Sequence, residues 1–158
     1  HPQHAIRDSV ASRGLGDVYK RQVNGVMSTS VGYSGGNIKS PTYEQVCTGN
    51  TGHAEVVEID YDPKVVTYSE LLNVFWSCHN PTTKDRQGPD IGHQYRSVIY
   101  YLNDEQKDLA VDSMTKMDKS GKFRDLIVTE VQPIKQYYKA EDYHQDYFDK
   151  KGSLFGLM

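Results

Sequence analysis

Apolar and polar positions alternate with a period of two in several stretches of this chain and follow a helical period in others. Met27, Thr29, Val31 and Tyr33 alternate with smaller partners, which predicts a strand. Residues 54–61 predict a second. Its Glu55, Val57, Ile59 and Tyr61 point one way, and Val56, Glu58 and Asp60 point the other. A third is expected over 95–101, opening at Tyr95, and a fourth over 126–131. Thr67 with Glu70 reads as a capping box, followed by a helix face of Leu71, Leu72, Val74 and Phe75 that ends near Pro81. Asn103 with Gln106 caps another helix, whose Leu109, Ala110, Ser113, Met114 and Met117 share one side before Ser120-Gly121 stops it. Aromatics at near-helical spacing (Tyr137, Tyr138, Tyr143, Tyr147, Phe148) predict a last helix over 138–150 packed on the sheet. Strands and helices mix without the regular alternation of a doubly wound fold. The class expected is therefore α+β, a two-layer sandwich.

Two long polar loops interrupt this pattern, at 34–53, with a short helical turn at 43–46, and at 80–94. Loops that long in a small domain usually carry function. The first runs directly into the strand of Glu55, whose side chain lies in phase with the apolar face. A buried carboxylate is costly as an anion, which favours its protonated form and makes a general acid usable near neutral pH. The competing reading, a strand-end carboxylate turned to water, weighs about equally on periodicity alone. Tyr33, just before Gly35-Gly36, and Tyr95 favour the first reading. Phenol hydroxyls can donate to a substrate oxygen without carrying charge. One acid and two phenols suit a small polar oxygen that must be protonated.

The bulk numbers narrow the class. The chain has 158 residues, enough for one domain with a real core. A net charge of −3 argues against nucleic-acid or anionic-membrane partners, and no apolar run reaches the ~20 residues that span a bilayer. Two cysteines, Cys47 and Cys78, make no disulfide framework and suggest a reducing, cytoplasmic compartment. Cys78 at a helix C-terminus reads as packing. Cys47, in the first loop, is the better candidate nucleophile. The six histidines (His1, His4, His53, His79, His93, His144) lack metal-site spacing, so no metal and no cofactor is expected. His53 reads as a loop anchor, and Gly35-Gly36 as a place where backbone can approach a small ligand. Arg96 is expected at the surface or in an ion pair.

The blocks G-Y-S-G-G, P-T-Y-E-Q-V-C-T-G-N-T-G-H-A-E, F-W-S-C-H-N-P-T and R-Q-G-P-D-I-G-H-Q-Y-R-S-V-I-Y-Y resemble, in order and spacing, the A-type peptide methionine sulfoxide reductases. The match runs from about residue 23 to residue 150. The resemblance implies a ferredoxin-like core with long loops, and thiol-dependent reduction of methionine-S-sulfoxide, free or in proteins, as oxidative-damage repair. It implies that Glu55 protonates the sulfoxide oxygen, that Tyr33 and Tyr95 hydrogen-bond it, and that Asp90 shapes the substrate site; His53, Gly35 and Gly36 are expected beside Asp90 there. It also implies re-reduction by thioredoxin or another thiol, and a monomer is expected.

The chain departs from the family at its start. The family's nucleophile lies in an upstream Gly-Cys-Phe-Trp-Gly motif, which also supplies the aromatic clamp for the substrate methyl group. Residues 1–22 carry no cysteine and no sustained period. They read as non-native sequence ahead of a truncated reductase domain at 23–158; a natural paralogue without the nucleophile is the alternative. The chain is accordingly expected to lack turnover, with Cys47 a weak stand-in. A non-catalytic methionine-sulfoxide-binding module is the second reading, and a metal-dependent hydrolase a third.

Overall fold

The computed structural model describes residues 5–9 and 21–141. Strand β3 (Ala54–Tyr61) lies deep in a six-stranded sheet and pairs antiparallel with β2 (Val26–Ser34). The register sets Val31 against Val57 and Tyr33 against Glu55, with an irregularity between Val26 and Ser28. β1 (Ala5–Asp8) lies between β3 and β6 (Val98–Tyr101), antiparallel to both. β7 (Glu130–Pro133) runs parallel to β6 at one edge, and β8 (Tyr137–Lys139) antiparallel to β2 at the other.

Two helices cover one face of this sheet, as the α+β two-layer reading expects. α2 (Tyr68–Cys78) starts at Thr67, whose hydroxyl accepts from the Glu70 N–H at 3.1 Å. α3 (Asp104–Lys119) starts at Asn103, whose side chain accepts from the Gln106 N–H at 2.9 Å. Each cap satisfies one of the donors that a helix N-terminus leaves open. Leu71, Leu72, Phe75 and Trp76 of α2 and Ala110 of α3 pack against Ile6, Val31, Val57, Ile59 and Ile99 of the sheet. Trp76 also donates its indole N–H to Ser113 at 2.8 Å, tying the helices together. Three smaller elements belong to the polar loops: helix α1 (Tyr43–Cys47), the hairpin β4 (Arg86–Gln87) and β5 (Asp90–Ile91), and a 3₁₀ turn at His93–Tyr95.

The structure departs from the sequence pattern in four places. Residues 5–8, set aside on the sequence as part of a segment without structural period, form a central strand. Ile6 joins the helix-side core, while Arg7 pairs with Glu58 on the other face and lies 4.9 Å over the Tyr137 ring. A strand that buries two charged residues shows no readable alternation. Tyr95 sits on the 3₁₀ turn rather than at the head of a strand, because β6 begins only at Val98. The last β-stretch begins at Glu130, not at residue 126: Leu126 and Val128 are exposed, so their apolar character did not mark a buried face. The expected helix over 138–150 is overturned at its start, because Tyr137–Lys139 is an edge strand. Gly32 makes room there for the Tyr137 ring, 2.5 Å from where a Cβ would stand. Residues 142–150 lie outside the described residues, as do His1, His4 and His144.

The position of β1 gives a direct test. Ile6 is fully buried, so Ile6→Ala should cost about 2–5 kcal/mol in urea denaturation, comparable to Leu72→Ala in α2. A cost below about 0.5 kcal/mol for Ile6→Ala, with Leu72→Ala strongly destabilising, would remove β1 from the sheet.

Candidate active site

Residues directly opposite each other in an antiparallel pair share a face of the sheet, with Cβ atoms roughly 5 Å apart. The β2–β3 register therefore places Tyr33 and Glu55 side by side, both buried. Tyr33 packs against Val46 of α1 and against Ala140, so the first loop folds back over this end of the sheet. His53 holds the loop down. Its Nδ1 accepts from the Gly36 N–H at 3.0 Å, and its Nε2 lies 2.7 Å from the Ile38 carbonyl. A backbone donor on Nδ1 places the ring proton on Nε2. Both nitrogens are thereby engaged by the loop, which makes His53 an anchor.

Gly35 and Gly36 prove equally structural. A Cβ on Gly36 would stand 2.4 Å from the Thr51 carbonyl and the His53 nitrogen. One on Gly35, at φ +95°, would stand 2.1 Å from the Tyr100 hydroxyl. The sequence suggested backbone approaching a ligand here. The close approach is between protein segments, and it brings the 34–36 and 51–53 stretches together ahead of Glu55.

Tyr95 and Asp90 come from the second polar loop. Tyr95 is half-buried. Burial pushes its phenol up to about 12, with Glu55, Cys47 and Asp90 adding negative charge nearby. That places the acid, the thiol and Asp90 within electrostatic reach of one phenol. Glu55, Asp90 and Cys47, all singled out in the sequence, thus lie near Tyr95, and Tyr33 lies beside Glu55.

Two further members escaped the sequence reading. Tyr43, the first residue of α1, hydrogen-bonds the Cys47 thiol one turn along. That bond, burial and the proximity of Cys47, Tyr95 and Glu55 push its phenol well above the ordinary range. The signal was present in T-Y-E-Q-V-C: the Thr42–Gln45 capping box marks a helix start, which puts Tyr43 and Cys47 on one face. Gln94 is buried, hydrogen-bonds Tyr95 and donates to the Cys47 carbonyl at 3.4 Å.

Cys47 itself is exposed and sits among acids. Burial of its sulfur pushes the thiol up, the Tyr43 hydroxyl pulls it partly back, and Glu55, Glu44 and Glu141 push it further up. Cys78 packs at the edge of the core, as read from the sequence. His93 pairs with Asp85 at 3.0 Å on the surface, and His79 bonds the Phe75 carbonyl and Ser97. Among the described residues no group of three or more His, Cys, Asp or Glu side chains could hold a metal ion. No helix among them is long and apolar enough to cross a membrane. The arrangement has the parts to bind a small polar oxygen through phenols and to deliver a proton to it from a buried carboxyl group.

Known proteins share this architecture. The model of the family described as peptide methionine sulfoxide reductase matches residues 14–155. A protein of Methanosarcina mazei named peptide methionine sulfoxide reductase MsrA is 60% identical over 138 residues, covering 87% of this chain. The chain spans 65% of that relative's length. The namesake of Sulfolobus acidocaldarius is 52% identical over 133 residues, covering 84% of this chain and 74% of its own. Among solved structures, Mxr1 of Saccharomyces cerevisiae in reduced form superposes with a TM-score of 0.85 at 34% identity, covering 92% of this chain and 84% of its own. Methionine sulfoxide reductase A of Corynebacterium diphtheriae gives 0.79 at 36% identity, covering 93% and 74%. The fold and a family match over most of the sequence agree: the chain belongs to the peptide methionine sulfoxide reductase family.

Proposed function

We propose that this chain carries the sulfoxide-binding and proton-delivering half of a methionine-S-sulfoxide reductase. The observation that carries the reading is the β2–β3 register, which sets the buried Glu55 beside Tyr33, with Glu55 also within electrostatic reach of Tyr95. In this reading the two phenols donate to the sulfoxide oxygen and Glu55 transfers a proton to it. A thiolate attacks the sulfur. The S–O bond breaks, methionine leaves as the thioether, and the attacking sulfur ends as a sulfenic acid. A second thiol condenses with that acid, forming a disulfide and releasing water. Mxr1 of Saccharomyces cerevisiae is known in complex with Trx2, which supports thioredoxin, or another thiol, as the reductant for the whole protein. The substrates are free methionine sulfoxide and oxidised proteins.

Cys47 is not suited to be the attacking group. A nucleophilic cysteine needs a lowered pKa, from a cation or a helix N-terminus. Cys47 instead ends α1 and faces carboxylates that hold its proton on. The chain as it stands is therefore assigned recognition without turnover. No thioredoxin- or dithiol-dependent reduction of methionine sulfoxide is expected from it. Calorimetric titration should give heat with a methionine-S-sulfoxide peptide and none with its methionine counterpart. Equal or absent heat for both would end the assignment, and robust turnover would make Cys47 the nucleophile.

The thiol argument has its own check. In a Cys78→Ala background, the alkylation rate of Cys47 should go on rising with pH beyond the ordinary thiol midpoint of ~8.5 instead of levelling off there. The Tyr43 hydroxyl stabilises the thiolate, so Tyr43→Phe should raise the midpoint and slow the reaction at fixed pH. Faster alkylation in Tyr43→Phe would contradict this account.

The acid can be tested once a nucleophile is supplied. With the family's Gly-Cys-Phe-Trp-Gly segment placed after β1, in place of residues 10–22, Glu55→Gln should lower kcat by ~10²–10⁴ with little change in KM, because the amide keeps the shape and donates but cannot give up a proton. Full kcat in Glu55→Gln would leave Glu55 a structural carboxylate.

A further inference from the structure

The chain segments that carry Tyr33, Glu55 and Tyr95 are far apart in sequence, yet all three converge on Arg96. On the sequence it was assigned to the surface or an ion pair. Only the ion pair is found: Arg96 is buried, with 7% of its surface exposed. Its Nη1 donates to the His93 carbonyl at 3.0 Å, closing the turn that carries Tyr95. Its Nη2 donates to the Gly52 carbonyl at 2.8 Å, three residues ahead of Glu55. Its Nε lies 3.6 Å from Glu130 on β7. The guanidinium also hydrogen-bonds the Tyr100 hydroxyl, which donates in turn to the carbonyl of Ser34, the residue after Tyr33. Gly35 lets this happen: a Cβ there would lie 2.1 Å from the Tyr100 hydroxyl and 3.1 Å from Nη2.

We propose that Arg96 is a positioning residue, whose buried guanidinium fixes the three segments bearing the oxygen-binding groups in one relative arrangement. The fork geometry matters as much as the charge. A guanidinium presents five donors in a rigid plane, so one group serves two carbonyls, a phenol and a carboxylate at once. A lysine at this position offers a point charge and cannot span the same acceptors. The functional weight of this role rests on the sulfoxide-binding reading, but the geometric role does not.

The test reads tyrosine ionisation rather than activity. In protein labelled with ¹³C at tyrosine Cζ, with Tyr95 assigned through Tyr95→Phe, the spectrum is recorded at about pH 11, one unit above the ordinary phenol value of ~10. Tyr95 in the unaltered chain, with its phenol pushed up to about 12, should be roughly one tenth ionised. In Arg96→Lys the turn should move away from Glu55 and out of its buried place, and Tyr95 should be more than half ionised. Tyr68, raised by burial in the core, should stay protonated in both. An unchanged Tyr95 in Arg96→Lys beside a protonated Tyr68 overturns the proposal. If Tyr68 ionises too, the variant has unfolded, and Tyr100→Phe decides. It keeps the buried ring and removes the hydroxyl through which Arg96 reaches Ser34, while the Arg96 bonds to the His93 and Gly52 carbonyls remain, so at neutral pH the Tyr33 signal should shift and the Tyr95 signal should not. A Tyr33 signal that stays in place overturns the proposal. Failure of the unaltered chain to bind sulfoxide would refute the functional reading and leave these outcomes standing.

Discussion

A slip of one residue between β2 and β3 would turn Tyr33 to the opposite face of the sheet from Glu55, because side chains alternate along a strand. The candidate site depends on that register. It is held by apolar residues deeper in the same ladder, Val31 opposite Val57 and Ile59 beyond them, under the helix layer of α2 and α3. The core that stabilises the fold and the polar pair that defines the site therefore lie on the same face of the same two strands. The site begins where helix cover gives way to loop cover.

Burying a carboxyl group, an imidazole, an amide and a guanidinium near one another is costly unless each is hydrogen-bonded. Backbone supplies many of the partners. Gly36 and Ile38 bracket His53, the Cys47 carbonyl accepts from Gln94, and the carbonyls of Gly52 and His93 accept from Arg96. Glycine-rich loops serve here because their backbone can pack within reach of buried side chains. The same surroundings set a chemical conflict. A carboxyl group that serves an oxygen when protonated opposes, when charged, the ionisation of a nearby thiol. Cys47, within range of Glu44, Glu55 and Glu141, feels that directly. A reductase of this design is best served by a thiolate from another part of the fold, where a helix N-terminus or a cation lowers its pKa.

Much of this was legible in the sequence. The phase of Glu55 along β3, the Thr67 and Asn103 caps, and the short helical turn at Tyr43 are local signals, and each corresponds to an element in the structure. Where the sequence fell short, long-range contacts decided. β1 carries Arg7 and Asp8 in the middle of a sheet, made tolerable for Arg7 by Glu58 across the strand and by the Tyr137 ring. Tyr95 precedes its strand by a turn that Arg96 closes, and Arg96 reads as a surface residue until its acceptors at positions 52 and 93 come into view. Tyr137 and Tyr138 keep helical spacing with later aromatics but pair as an edge strand, because β2 offers an open edge. Gln94 was missed because its partner Cys47 is distant in sequence, whereas Tyr43 was missed although its partner lies one turn along the same helix.

The central claim is that Glu55, Tyr33 and Tyr95 converge on one oxygen. A crystal structure of the chain soaked with methionine-S-sulfoxide tests it most directly. The account predicts the sulfoxide oxygen within hydrogen-bond distance, about 2.5–3.2 Å, of the Glu55 carboxyl group and both phenols, with the sulfur facing away from them. A sulfoxide bound in this space with its oxygen turned away from Glu55, or bound elsewhere on the molecule, would contradict it.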